Sequence, residues 1–215
     1  MADKTWYRIT NLATGTAELA IYDEIGGWGI SSQQMIADLE PISGRDLTLR
    51  MNSKGGDVFE GIAIHSALRR HQGKVTCVVD SLAASISSAI AMAADEVLMT
   101  PHAKIMIHDA MGEKHGNAAE MRKFTDLLDQ TSETIAGIYA EHTGGSQADW
   151  RARMVAETWF NAREAVDAGL ADAIVTSASD LTPTNSFSSG NAERKDSFDY
   201  ASVVAALRGA GHAEG

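Results

Sequence analysis

The chain has 215 residues, 44% of them hydrophobic and 22% charged, which suits one domain of ordinary size with a sizeable core. A formal net charge of −11 repels phosphate backbones and anionic lipid, and no basic patch offsets it, so neither nucleic acid nor a membrane surface is an expected partner. The single cysteine, Cys77, lies in an apolar run and excludes a disulfide framework or a cysteine-based metal site within the chain. No stretch of about 18 uninterrupted apolar residues and no apolar core of signal-peptide length is found, so a cytoplasmic setting is expected.

Strand and helix patterns alternate from residue 18 onward. A strand at 18–22 precedes a helix at 32–39 and a second strand at 46–51. A helix at 58–70 carries Val58, Ile62, Ile64 and Leu68 near helical spacing. The β-branched run 75–79 then ends at Asp80, and an alanine-rich helix is expected at 84–94. Short strands at 97–100 and 104–108 come next. The longest helix, 117–142, aligns Met121, Leu128 and Ile135, with Phe124 and Ile138 close by, and stops at Gly144-Gly145. Helices at 147–156 and 162–168 and a strand at 173–175 complete an α/β domain with a largely parallel sheet, over residues 1–175. Beyond it, 176–215 reads as a flexible polar tail with a candidate short helix at 198–207.

Ser85 falls at the turn between the 75–79 strand and the alanine-rich helix, where a nucleophile can be presented with only small side chains around it. Serine is equally a favoured N-cap residue, and the segment alone leaves both readings open. Three other segments bear on it. In Asn52-Ser53-Lys54-Gly55-Gly56-Asp57 a strand ends in a glycine pair before a helix, a backbone that can aim the N–H of Gly56, with that of Ile86, at one point as an oxyanion hole. An apolar strand, Ile105-Met106-Ile107, ends in His108, whose imidazole suits the removal of a hydroxyl proton at neutral pH. Asp109 follows and is expected to point to the opposite face if the strand continues. Glu157 precedes Trp159-Phe160 and a new helix, and locally reads as a helix-end glutamate or as a carboxylate able to orient His108. The histidines at 65, 71, 102, 115 and 142 read as surface or structural.

The segments NSKGGDVFEGIAI, SLAASISSAIAMAADE, KIMIHDAMG, YAEHTGG and ETWFNAREAVDAGLADAIV, in that order, resemble the proteolytic subunits of the Clp protease family, most closely the phage-type head-maturation branch. The resemblance implies stacked ββα repeats of the Clp-protease/crotonase type, with the 117–142 helix protruding as the handle through which rings stack. It implies Ser85 as nucleophile, His108 as general base, Glu157 as the acid, and Gly56 and Ile86 as oxyanion donors. Three positions depart from the family pattern: Lys54 replaces a proline, Ser81 a glycine, and Glu157 an aspartate. Asp172, in the GLAD segment that the family matches separately, is a weaker substitute candidate for the acid.

The expected function is therefore a serine endopeptidase acting on proteins or peptides inside a homo-oligomeric chamber, in phage head maturation or Clp-type degradation. Its expected partners are a separate ATPase unfoldase or phage capsid and scaffold proteins. The sequence has no GxxxxGK[ST] phosphate loop, HExxH or cysteine cluster, so no cofactor or metal is expected in this chain. The alternatives are an enoyl-CoA hydratase-like enzyme, which shares the oxyanion-hole logic, and a catalytically silent scaffold subunit.

Overall fold

Strict alternation sets the centre of the fold: in β3 (Leu47–Ser53) Leu47, Leu49, Met51 and Ser53 are buried and the residues between them half-buried. The computed structural model describes residues 5–11, 15–27 and 31–176. β3 lies between β2 (Ala17–Ile21) and β4 (Val75–Ala84) and is parallel to both. Each leucine or isoleucine fully buried along these strands contributes about 1.5–3 kcal/mol. β1 (Tyr7–Asn11) closes one edge antiparallel to β2.

β4 forks the sheet. Its first part, Thr76 to Val79, pairs in parallel with β5 (Glu96–Met99), which in turn pairs with β8 (Ala173–Ile174). Its last part, Leu82 to Ala84, pairs instead with β6 (Lys104–Ile107), and β7 (Thr158–Asn161) joins β6 antiparallel. The strand expected to end at residue 79 therefore runs to Ala84. Its second half is rich in small residues of weak strand preference, and it is extended because β6 supplies hydrogen-bonding partners.

The helices are α1 (Ser32–Leu39), α2 (Val58–Arg69), α3 (Ile86–Ala91), α4 (Ala118–Thr143), α5 (Gln147–Val155) and α6 (Ala162–Asp167). Asp57 starts α2 by accepting from the N–H groups of Phe59 and Glu60. A capping box of Asn117 and Glu120 starts α4, and left-handed Gly144 ends it. α3 is six residues long rather than the expected eleven, because β4 consumes its start and turns replace its end; all six of its residues are buried. The apolar line along α4 is buried only in part. Its buried residues begin at Thr131 and include Ile135 and Ile138, whereas Met121 is 41% exposed.

The described residues as far as Val175 form one compact α/β unit. The expected tail, from 177 onward, and the candidate helix at 198–207 lie outside the described residues. Among the described residues no helix is long and apolar enough to cross a membrane.

Candidate active site

The fork in β4 brings the predicted site residues together. Ser85 follows the last residue of β4 directly and precedes α3, so the chain must turn from strand to helix within one residue. It does so at φ 56°, ψ −133°, a left-handed region that serine rarely occupies. The surrounding bonds hold it there: the Ser85 N–H donates to Met106 O at 2.9 Å, and the Ser88 hydroxyl donates to Ser85 O at 2.5 Å. Ser85 makes no side-chain capping bond to α3. Its Oγ instead lies 2.8 Å from His108 Nε2.

His108 follows β6 directly. Because β6 pairs with the end of β4, a histidine just past one strand end faces a serine just past the other. The alternation expected to turn Asp109 to the opposite face does not apply. The strand has already ended at Ile107; Asp109 is among the residues lining the same cavity as Ser85, and its carboxylate bonds to Arg151 of α5. Arg151, which the sequence reading did not single out, also reaches Asp129 at 3.0 Å and Glu133 at 3.3 Å, both on α4.

The glycine turn packs against the elbow itself. Gly55 has φ +100°, and a Cβ there would lie 2.7 Å from Ser85 Cβ and 2.8 Å from Ala84 O, so both its dihedral and its surroundings demand glycine. Gly56 forms a parallel bridge with Ile25, in which Ile25 N–H donates to Gly55 O and Asp57 N–H donates to Ile25 O; its own N–H takes no part in those bonds. Ile86 is the first residue of α3, where backbone N–H groups lack helical partners. Gly56 and Ile86 line the cavity with Ser85 and His108. Buried serines brace this corner. Ser53 Oγ accepts from Gly55 N–H at 3.1 Å and donates to Asp23 O, and Ser87 Oγ reaches both Ser53 O and Ala84 O. Lys54, at the family's proline position, is exposed and pairs with Glu24 at 2.9 Å, which raises the lysine pKa.

The cavity encloses about 380 Å³, and Glu157 also lines it. Glu157 is exposed and sits at φ 48° between α5 and β7; its carboxylate accepts from the Trp159 indole N–H at 3.3 Å. Glu157 and His108 thus share the cavity without a hydrogen bond between them. The substitute acid, Asp172, is engaged at β5, where its carboxylate accepts from Val97 N–H and its own N–H donates to Val97 O, both at 2.7 Å. Of the other histidines, His71 is buried and holds Arg45 O at 2.7 Å, and His65 is buried in α2.

A family model described as Clp protease matches residues 2–178, which span the whole of this site. The chain belongs to the Clp protease family. It is a serine endopeptidase of that family. Among curated relatives, the ATP-dependent Clp protease proteolytic subunit 1 of Streptomyces avermitilis is 31% identical over 166 residues, 76% of either chain. The ATP-dependent Clp protease proteolytic subunit 3 of Streptomyces coelicolor is 32% identical over 160 residues, covering 72% of this chain and 74% of the relative. The subunit 1 of Chlamydia abortus is 34% identical over 142 residues, covering 64% and 74%. Ser53, Ser87, Ser88 and Arg151 escaped the sequence reading. A signal for the serines was present all the same, since polar residues inside an alanine-rich apolar helix need buried partners.

Proposed function

We propose that this Clp protease family member cuts peptide bonds with Ser85 as nucleophile, His108 as general base and Glu157 as the acid that orients the imidazole. The contact of 2.8 Å between Ser85 Oγ and His108 Nε2, made at a strained turn, carries the reading. Ser85 Oγ attacks the substrate carbonyl carbon while Nε2 takes its proton. The tetrahedral oxyanion faces the N–H groups of Gly56 and Ile86. Its collapse breaks the C–N bond, and the leaving amine receives the proton from His108. Water then attacks the acyl ester, again through His108, and restores Ser85.

Glu157 is the third member because the other cavity carboxylates are taken: Glu24 pairs with Lys54 and Asp109 with Arg151, whereas Glu157 meets a neutral indole. A rotation of its side chain from Trp159 to His108 completes the triad. Substrate is bound largely through its backbone, as an added strand beside the short strands at the site, so side-chain tolerance is broad. Selectivity then comes from access to a chamber built by ring assembly. The exposed first half of α4, with Met121 on its surface, supports assembly through that helix. The ATP dependence in the relatives' names, carried over, calls for a separate ATPase unfoldase; a maturing phage head, with its capsid and scaffold proteins, is the other setting that such a chamber serves.

A hydratase has no use for a hydrogen-bonded Ser85–His108 pair, and a silent scaffold has no use for a strained serine. One experiment tests all three readings. A fluorophosphonate is incubated with wild type and with Ser85→Ala, the adduct is located by mass spectrometry, and the same preparations are sized by light scattering. The expected result is a single adduct on Ser85, a fall in peptidase activity of about 10⁴-fold or more in the variant, and a particle several times the chain mass. An unlabelled Ser85 in the assembled protein would overturn the nucleophile, and a monomer would overturn the ring.

A further inference from the structure

Behind the Ser85–His108 pair lies a second set of hydroxyls, on residues that do not themselves line the cavity. Ser88, fully buried in α3, bonds to Ser85 O at 2.5 Å and Met106 O at 3.2 Å. The third contact of the same oxygen is Tyr139 Oη of α4 at 2.8 Å, and Tyr139 is 1% exposed. The proton directions follow from chemistry. A carbonyl only accepts, so the single Ser88 hydrogen goes to the carbonyls, and Tyr139 must donate to Ser88. Burial raises the Tyr139 pKa well above its ordinary value, which keeps the phenol protonated as a donor.

The two carbonyls on Ser88 belong to the two halves of the catalytic pair. One is the carbonyl of Ser85 itself, whose backbone is held at φ 56°. The other belongs to Met106, two residues before His108 on β6, and it also accepts the Ser85 N–H at 2.9 Å. One hydroxyl therefore fixes the nucleophile's backbone relative to the strand that carries the base, and a residue of the longest helix fixes that hydroxyl.

We propose that Ser88 and Tyr139 are positioning residues that hold Ser85 and His108 in reacting register through a directed relay from Tyr139 to Ser88 to the Ser85 carbonyl. The inference rests on the reading of Ser85 as nucleophile and His108 as base. It ties the alignment of the pair to α4, so that displacing that helix would loosen the elbow. Ser85 Oγ and His108 Nε2 need not lose contact altogether. A displacement of order 1 Å in such a pair can cost about 100-fold in rate.

The test is kinetic, on the full chain in its assembled form, with Ser88→Ala, Tyr139→Phe and the double variant. The readouts are kcat and KM on an unstructured peptide, the fluorophosphonate labelling rate of Ser85, and the melting temperature. Ser88→Ala is expected to lower kcat and the labelling rate together, about tenfold to 100-fold, with KM within about twofold of wild type. Tyr139→Phe keeps the ring in place and is expected to lose about threefold to tenfold. The double variant should be no worse than Ser88→Ala alone, since a relay is lost once. Tyr139→Phe carries the test if Ser88→Ala fails to fold. Folded variants with wild-type kcat and labelling rate would overturn the proposal, as would fully additive losses in the double variant. A wild-type protein that is not labelled at Ser85 would instead overturn the nucleophile reading on which the relay depends.

Discussion

At the scale of single residues, the two non-glycine residues of positive φ are Ser85 and Glu157, at 56° and 48° among the described residues. Backbone strain of this kind persists only where neighbours enforce it. For Ser85 those neighbours are plain: Met106, Ser88 and the Gly55 turn. For Glu157 the Met154 carbonyl accepts its N–H at 3.0 Å and Trp159 holds its side chain, which keeps the carboxylate on the cavity wall. Because that carboxylate is exposed and unpaired with His108 in this conformation, its contribution should be smaller than that of a buried triad acid. Glu157→Gln is expected to lower kcat about tenfold to 100-fold, against about 10⁴-fold when a buried acid is replaced by its amide. Glu157→Asp, one methylene shorter, tests reach. Steady-state kinetics on a peptide substrate decides the matter, and a kcat within twofold of wild type in the Gln variant would remove Glu157 from the triad.

At the scale of elements, α5 is joined to the segment that follows His108 through Arg151, which bonds Asp109 and two carboxylates of α4. Removing the guanidinium leaves Asp109, Asp129 and Glu133 facing one another. Arg151→Met is expected to destabilise the fold by about 1–2 kcal/mol, more than a solitary surface pair would. Urea unfolding of the single variant, of Asp109→Asn and of the double should show strong non-additivity; additive losses would dissolve the network. No local pattern in the sequence announces this cluster. Periodicity made most elements legible: the 32–39 helix matches α1, and the 117–142 and 147–156 helices match α4 and α5 to within a residue at either end. β1 and β7 were missed because their pattern is short and their existence depends on a partner strand; β7 pairs with β6 some 50 residues away in the sequence. The same dependence hid the second half of β4. The candidate site was legible because its motifs are local runs, Gly55-Gly56, Ser85-Ile86 and the strand ending in His108. The braces behind it, Ser88 to Tyr139 and Arg151 to Asp109, join residues far apart in sequence, which no local pattern encodes.

At the scale of the whole molecule, stability and pH are linked through one buried histidine and one half-buried histidine. His65 of α2 is 3% exposed, and desolvation, with smaller contributions from Arg69 and His142, lowers its pKa from 6.5 to about 3. His142, near the end of α4, is also lowered, chiefly by desolvation and against the pull of Asp172. Both rings are therefore neutral in the folded chain at pH values where the unfolded chain protonates them. Below the unfolded value of 6.5 the unfolded state binds more protons, so stability falls as pH drops, and for His65 the loss continues until about pH 3. One such histidine removes up to about 1.4 kcal/mol per pH unit within that window. Urea unfolding between about pH 4.5 and 6.5, a range that avoids most carboxylate titration, should show this slope in wild type. His65→Gln has no proton to gain, so its stability should fall less steeply by about one proton's worth, whatever its absolute stability at neutral pH. Parallel slopes for the two proteins would mean that His65 is protonated alike in the folded and unfolded states, and that the acid sensitivity has its source elsewhere.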